Sequence, residues 1–275
     1  MTFINSIFNK LFEYLFFPFN SANPWISMIL ISLLTGILML FIFKHTSNQE
    51  GIRNTKNRIK AHLLEMRLYK DSFITSLQAQ GNILKANLSY MGHSFKPLMV
   101  MIIPVLLILI QLNFWFGYTP LEPGESTLLK IKLAQRYDPM EIDVDLELPP
   151  GIQIETPPLR IIEEGEIDWR IAPLEPGVYE AVISVGTYQH KKKIYAQKNS
   201  LTRVSPLRPE PGFIQTLLYP VEKPMPKDQP VRSIEVHHPA NYLDLFGMNI
   251  HWLIAFFALS IIFGFSLKGF FGVEI

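Results

Sequence analysis

The sequence predicts an α-helical membrane core of three transmembrane helices with a cytoplasmic helical hairpin, plus an inserted extracytoplasmic immunoglobulin-like β-sandwich. Three observations carry that expectation: three long uncharged apolar runs, a basic amphipathic stretch between the first two, and a block of short alternating segments before the third. A chain of 275 residues with 48% hydrophobic and only 18% charged residues is too apolar for an ordinary soluble domain of this length.

The runs are WISMILISLLTGILMLFIF (25–43), PLMVMIIPVLLILIQLNFWF (97–116) and IHWLIAFFALSIIFGFSL (250–267). Each approaches the ~20 residues a helix needs to cross the hydrocarbon core. None alternates as a barrel strand would, so helices are the solution that satisfies their backbone groups in lipid. The first run is too long for a signal-peptide core and is followed by basic residues from Lys44 onward, which predicts a retained helix.

Residues 44–96 hold nine Lys or Arg against three acids, whereas 118–247 hold fourteen against nineteen. The positive-inside rule therefore puts 44–96 and the tail 269–275 in the cytoplasm of an inner or plasma membrane, with the N-terminus and 118–247 outside. Transmembrane helices are expected over 25–43, 97–117 and 248–268. Before them, residues 1–24 read as an amphipathic interfacial helix, with Phe8, Leu11, Phe12, Leu15 and Phe16 at helical spacings. A helix packed on the second and third spans is the other solution for that segment.

The cytoplasmic stretch repeats Ile52, Thr55, Ile59, Leu63 and Met66 every three or four residues. Basic residues including Arg58, Lys60, Arg67 and Lys70 decorate the rest and are the candidate hairpin contacts. A turn near 70–72 leads to a second predicted seam of Ile74, Leu77, Gly81, Leu84 and Leu88, giving an antiparallel hairpin. The stretch lacks aromatic interleaving and metal-ligand spacing, and membrane topology accounts for its charge, so no DNA partner is expected.

Between 118 and 247, Pro and Gly separate short runs, among them STLLKIKLA, GEIDWRIAPL and GVYEAVISVG. In EIDVDLELP, Ile142, Val144, Leu146 and Leu148 share one face and Asp143, Asp145 and Glu147 the other, as in a strand covered on one side. Six or seven such strands predict the sandwich, with Trp169 and Tyr179 as core anchors. Residues 203–235 read as an irregular Pro-rich connector. His237 and His238 are adjacent, so on a strand they face opposite ways and do not form a metal site. The alternating acids lack the tight oxygen-rich loop of a calcium site. The chain has no cysteine, which removes disulfides and thiolate zinc.

The spans carry one ionisable residue, His251, near a boundary, and no nucleophile or phosphate-loop motif occurs, so no enzyme activity and no cofactor are expected. They do carry Ser32, Thr35 and Gly36 in the first, Gln111 and Asn113 in the second and Ser260 in the third. Such residues either line a shallow wet groove or let helices pack closely, each polar group finding a local backbone partner in the second case.

The order of elements, with LLTGILMLFIFKHTSNQEGIRNTKNRIKAHLLEMRLYKD (33–71) and LKANLSYMGHSFKPLMVMIIPVLLILIQLNFWF (84–116), resembles the Oxa1/YidC superfamily of membrane protein insertases. The resemblance is to its three-helix branch, which holds the third subunit of the endoplasmic reticulum membrane protein complex and archaeal relatives. It implies a groove that eases polar client segments into the bilayer, with the hairpin receiving client membrane proteins or contacting the ribosome. Membrane lipids are the other expected partner. A non-catalytic scaffold subunit, holding a stable membrane-complex partner on its β domain, is the alternative function.

Overall fold

The computed structural model describes residues 3–19, 22–69, 71–197 and 201–274. The chain forms two compact units, Met1–Ser27 with Leu109–Trp252, and Met28–Ile108 with Leu253–Ile275. Among the described residues, three helices are long and apolar enough to cross a membrane: α2 (Pro24–Thr46), α4 (Phe73–Phe116) and α6 (Trp252–Phe271). Ahead of them lies α1 (Phe3–Phe16), and between α2 and α4 lies α3 (Gln49–Leu68).

In the first unit, eleven strands among the described residues follow α4. They are β1 (Thr127–Leu133), β2 (Val144–Glu147), β3 (Ile152–Ile154), β4 (Leu159–Ile161), β5 (Glu166–Pro173), β6 (Gly177–Val185), β7 (Tyr188–Ala196), β8 (Leu207–Arg208), β9 (Val231–Val236), β10 (Tyr242–Leu245) and β11 (Met248–His251). A short helix α5 (Phe213–Leu218) lies between β8 and β9. The larger antiparallel sheet runs β3-β5-β1-β9-β8, with β4 also on β5; the smaller runs β2-β6-β7. Leu129 faces Trp169 on one side and Val236 on the other, which fixes the register of the central strand β1. Inward side chains of both sheets, including Ile131, Ile167, Trp169, Ile234, Leu146, Ile183 and Ile194, merge into one core. This is a β-sandwich: each sheet is apolar on one face and buries it against the other.

The alternation in EIDVDLELP is realised as expected. Leu146 is buried, Ile142, Val144 and Leu148 pack against the core, and Asp143, Asp145 and Glu147 are exposed. Trp169 is a core anchor, but Tyr179 sits at the rim, its hydroxyl donating to the Glu175 carbonyl at 2.7 Å beside Gly151. Gly151 has φ +94° and an added Cβ would lie 2.7 Å from that hydroxyl, so the turn requires glycine.

The Pro-rich stretch 203–235 is not irregular throughout. It supplies β9, which sits in the larger sheet between β1 and β8. It also supplies the partners of Lys192, a fully buried cation on β7 whose Nζ donates to the Ser205 carbonyl at 2.7 Å and to the Glu222 carboxylate. Burial drives this ammonium below its ordinary value, and Glu222 opposes the shift. His237 is exposed and His238 buried, on opposite faces as the spacing requires. Residues 248–251 extend the hairpin β10–β11 instead of opening the third span, because Asn249 and Ile250 pair with Asp244 and Leu243.

Helix α1 packs through Phe12 and Phe16, the latter edge-on to Trp115 and Phe116 at centroid distances of 5.0 and 5.7 Å. Its Asn5 Nδ2 donates to the Thr216 carbonyl at 2.6 Å and Asn9 Nδ2 to the Pro220 carbonyl at 2.8 Å, which ties it to α5. Ile7, Leu11 and Tyr14 on its other side are exposed.

In the second unit, Asn48 caps α3 by accepting the Gly51 N–H at 2.9 Å. Helix α3 ends at Leu68, and α4 begins at Phe73 and continues without interruption through Pro97 and Pro104. The expected hairpin arm and second span are therefore one helix. A Cβ on Gly51 would lie 3.0 Å from the His93 ring, so the start of α3 lies against the middle of α4. The tail is held to the base of α3: Lys56 pairs with Glu274 at 3.2 Å, and the Glu274 N–H donates to Gln49 Oε1 at 2.7 Å.

Candidate functional site: a cavity with unpartnered hydroxyls

Helices α2, α4 and α6 of the second unit line a cavity of about 640 Å³, within the size range of ligand sites. Gly36 sets the approach of α2 to α6, since a Cβ there would meet the Ser260 carbonyl oxygen at 3.2 Å and the Gly264 nitrogen at 3.4 Å. Aliphatic and aromatic side chains make up most of the lining, including Met91, Phe95, Leu98 and Met101 from α4.

Besides the phenol of Tyr90, three aliphatic hydroxyls interrupt that lining: Thr35 on α2, Ser94 on α4 and Ser260 on α6. Their oxygens are buried and have no hydrogen-bond partner among the described residues; the same is true of Ser32, one turn from Thr35 and outside the lining. In this unit other hydroxyls do bond back to the helix: Thr46 to the Ile42 carbonyl at 2.7 Å and Thr55 to the Gly51 carbonyl at 2.8 Å. The reading in which each polar residue of the spans finds a local backbone partner is therefore overturned at Ser32, Thr35 and Ser260, and Ser94 adds a hydroxyl of the same kind outside the predicted spans. A hydroxyl left unmade in an apolar setting costs about 1–3 kcal/mol, which partners entering the cavity would recover.

Gln111 and Asn113 do not join this group. Gln111 belongs to the first unit, where its Nε2 donates to Asn9 Oδ1 at 3.0 Å and its Oε1 accepts from Arg203 Nη2 at 3.1 Å. Arg203 also donates to Asn9 Oδ1 and, through Nη1, to Glu13 Oε1 at 2.9 Å. Burial lowers this guanidinium from its ordinary value, and the Glu13 charge opposes that. Asn113 folds over the end of α4, its side-chain oxygen 2.6 Å from where a Gly117 Cβ would sit. Ser94 was missed because it precedes the apolar run. Its helical spacing to Leu98, Met101 and Val105 is the signal that could have found it.

The second predicted seam is also corrected. Ile74, Leu77, Leu84 and Leu88 are exposed, whereas Ala79 and Ala86 on the other side of α4 are buried. The alanines are small enough for close helix approach, and one helix face cannot serve both stripes. Of the predicted α3 seam, Ile52 and Thr55 are buried, but Leu63 is exposed. The outward stripe then runs Leu77, Gly81, Leu84, Leu88, Met91, Phe95, Leu98, alternating steps of four and three. Its last three members line the cavity. Arg58, Lys60 and Arg67 are exposed on α3; Lys70 lies outside the described residues.

No family model and no curated protein matches the chain. Among solved structures, the crystal structure of the S-layer protein SbsC domains 4 and 5 is similar over 30% of this chain and 48% of that one. The identity is 14% and the TM-score 0.23, too low to carry an argument about fold or function.

Proposed function

We propose that this chain is a non-enzymatic, insertase-like membrane protein that assists insertion or assembly of membrane proteins, as the Oxa1/YidC resemblance implies. The observation that supports it best is the continuous apolar stripe on α4, which leads from Leu77 into the cavity holding Thr35, Ser94 and Ser260. An apolar client segment laid on the stripe buries surface at each step. Inside, the unpartnered hydroxyls offer hydrogen bonds to the polar groups that such a segment carries and lipid cannot satisfy. In this reading α3, the adjoining part of α4 and the tail are cytoplasmic, by their excess of Lys and Arg. The β domain is extracytoplasmic and its two packed sheets are of immunoglobulin-like type.

A scaffold role is the second reading, favoured by exposed Phe213, Ile214 and Phe246 on the first unit, which a stable partner would cover. Photo-crosslinkers at Leu88 and Ser94 in the full chain, presented with ribosome-bound nascent membrane proteins, separate the two. The insertase reading expects several apolar clients, each captured transiently. One reproducible partner, with no nascent-chain adduct, would overturn it.

A further inference from the structure

The first unit holds a second cavity, of about 580 Å³, where the start of α2, the segment leaving α4 and the hairpin β10–β11 meet. Its walls are fixed by short-range bonds. Trp25 Nε1 donates to the Asp244 carbonyl at 2.6 Å, the Thr119 N–H to the Pro239 carbonyl at 2.9 Å, and the Asn241 N–H to the Gly117 carbonyl at 3.1 Å.

Trp25, Trp115, Tyr118 and Tyr242 contribute aromatic surface, and Glu122 and Asp244 contribute carboxylates. No Lys or Arg is among the described lining residues. Aromatic faces and carboxylates together attract an organic cation and repel a bare anion. A second, independent feature is Trp115. It is only 5% exposed, lines the cavity, and its Nε1 has no hydrogen-bond partner among the described residues. An indole N–H can only donate, so the missing partner is an acceptor. A ligand satisfying both features carries an ammonium group with an oxygen acceptor near it.

The place of the cavity points to where such a ligand comes from. Trp25 stands at the start of α2 and Trp115 at the end of α4, and Trp252 opens α6 in the same unit. Tryptophans at one end of each apolar helix mark the headgroup level of a bilayer. We propose that this cavity binds the ammonium-bearing headgroup of a zwitterionic phospholipid, of the phosphoethanolamine or phosphocholine type. The ammonium sits among the aromatic rings and the two carboxylates, and a phosphate oxygen accepts from Trp115 Nε1.

The test uses the full chain in nanodiscs of phosphatidylglycerol containing a minority of phosphatidylethanolamine, with retained lipid identified by native mass spectrometry. Preferential retention of phosphatidylethanolamine is expected. It should fall about fivefold in Glu122→Gln, and comparably in Trp115→Phe, which keeps a ring but removes the N–H. Glu122 is exposed, so its isosteric change leaves folding intact, checked by circular dichroism. Water-soluble phosphoethanolamine should compete. Equal retention of both lipids, or a preference unchanged in both variants, would overturn the proposal. Binding of phosphoethanolamine without retained lipid would refute the lipid source.

Discussion

The stripe on α4 makes a quantitative demand. Leu84 is 65% exposed and Leu88 63%, so in the proposed insertase reading a client segment covering them buries most of each side chain. Full burial of a leucine contributes about 1.5–3 kcal/mol, and the exposed fraction therefore about 1–2 kcal/mol each. Changing both to glutamine removes about 2–4 kcal/mol of capture, which at 1.4 kcal/mol per tenfold weakens it by about 30-fold or more. The fold should scarcely respond, because glutamine has nearly the helix propensity of leucine and exposed substitutions stay within about 0.5 kcal/mol. The assay is crosslinking yield from Ser94 against client concentration, with thermal unfolding in detergent alongside. Ala79→Gln is the control: on the buried side of the same helix it should lower stability through overpacking. Undiminished capture by the double variant, with its fold intact, would refute the reasoning.

Two further outcomes concern the first unit. His238 is buried, donates from Nδ1 to the Val236 carbonyl at 2.9 Å, and has its pKa pushed down to about 4 from an ordinary 6.5, chiefly by burial. Above 6.5 the ring is neutral folded and unfolded; as pH falls from 6.5 to about 4 only the unfolded chain gains the proton. Stability should drop by about 3 kcal/mol across that window, and His190, lowered by burial too, acts in the same direction. Denaturant unfolding followed by tryptophan fluorescence should show much of the drop absent in His238→Gln; an unchanged pH dependence would exclude this origin. In the Arg203 cluster, Gln111→Leu strips an acceptor from a buried guanidinium and should cost about 1–3 kcal/mol. Glu13→Gln, at a side chain 58% exposed, should cost under about 1 kcal/mol, and melting temperatures in the reverse order would contradict the cluster as described.

What could be read from the sequence depended on whether local pattern or tertiary packing decides. The three apolar runs and the alternating row Ile142 to Leu148 were legible because burial on one face leaves a period in the chain. β9 was not, since VRSIEV follows Pro220, Pro224, Pro226 and Pro230, and proline density masks a strand whose place is fixed by pairing with the distant β1. The hairpin seam was misread because periodicity weights apolarity, whereas helix contact here selects size, favouring Ala79 and Ala86 over Leu77 and Leu84. Thr35, Gly36 and Ser260 stood out as polar or small residues in apolar runs, and the fold does bring them to one cavity. Gln111 stood out equally, yet its partner is Arg203, a single cation in a connector with no periodic signal.

The unbroken course of α4 has a mechanical consequence. An arm joined to a span by a loop can swing freely, but here the residues that carry the outward stripe and those that line the cavity belong to one helix of 44 residues. Displacing the arm must either turn the span with it or bend the rod. Pro97 and Pro104 lack the N–H that would bond the carbonyls of His93 and Val100, so bending costs least there. Both points lie beside Leu98, Met101 and Val105 of the cavity wall. In the proposed insertase reading, loading the arm would thereby change the bore of the chamber, making the helix a lever whose fulcrum is at the cavity.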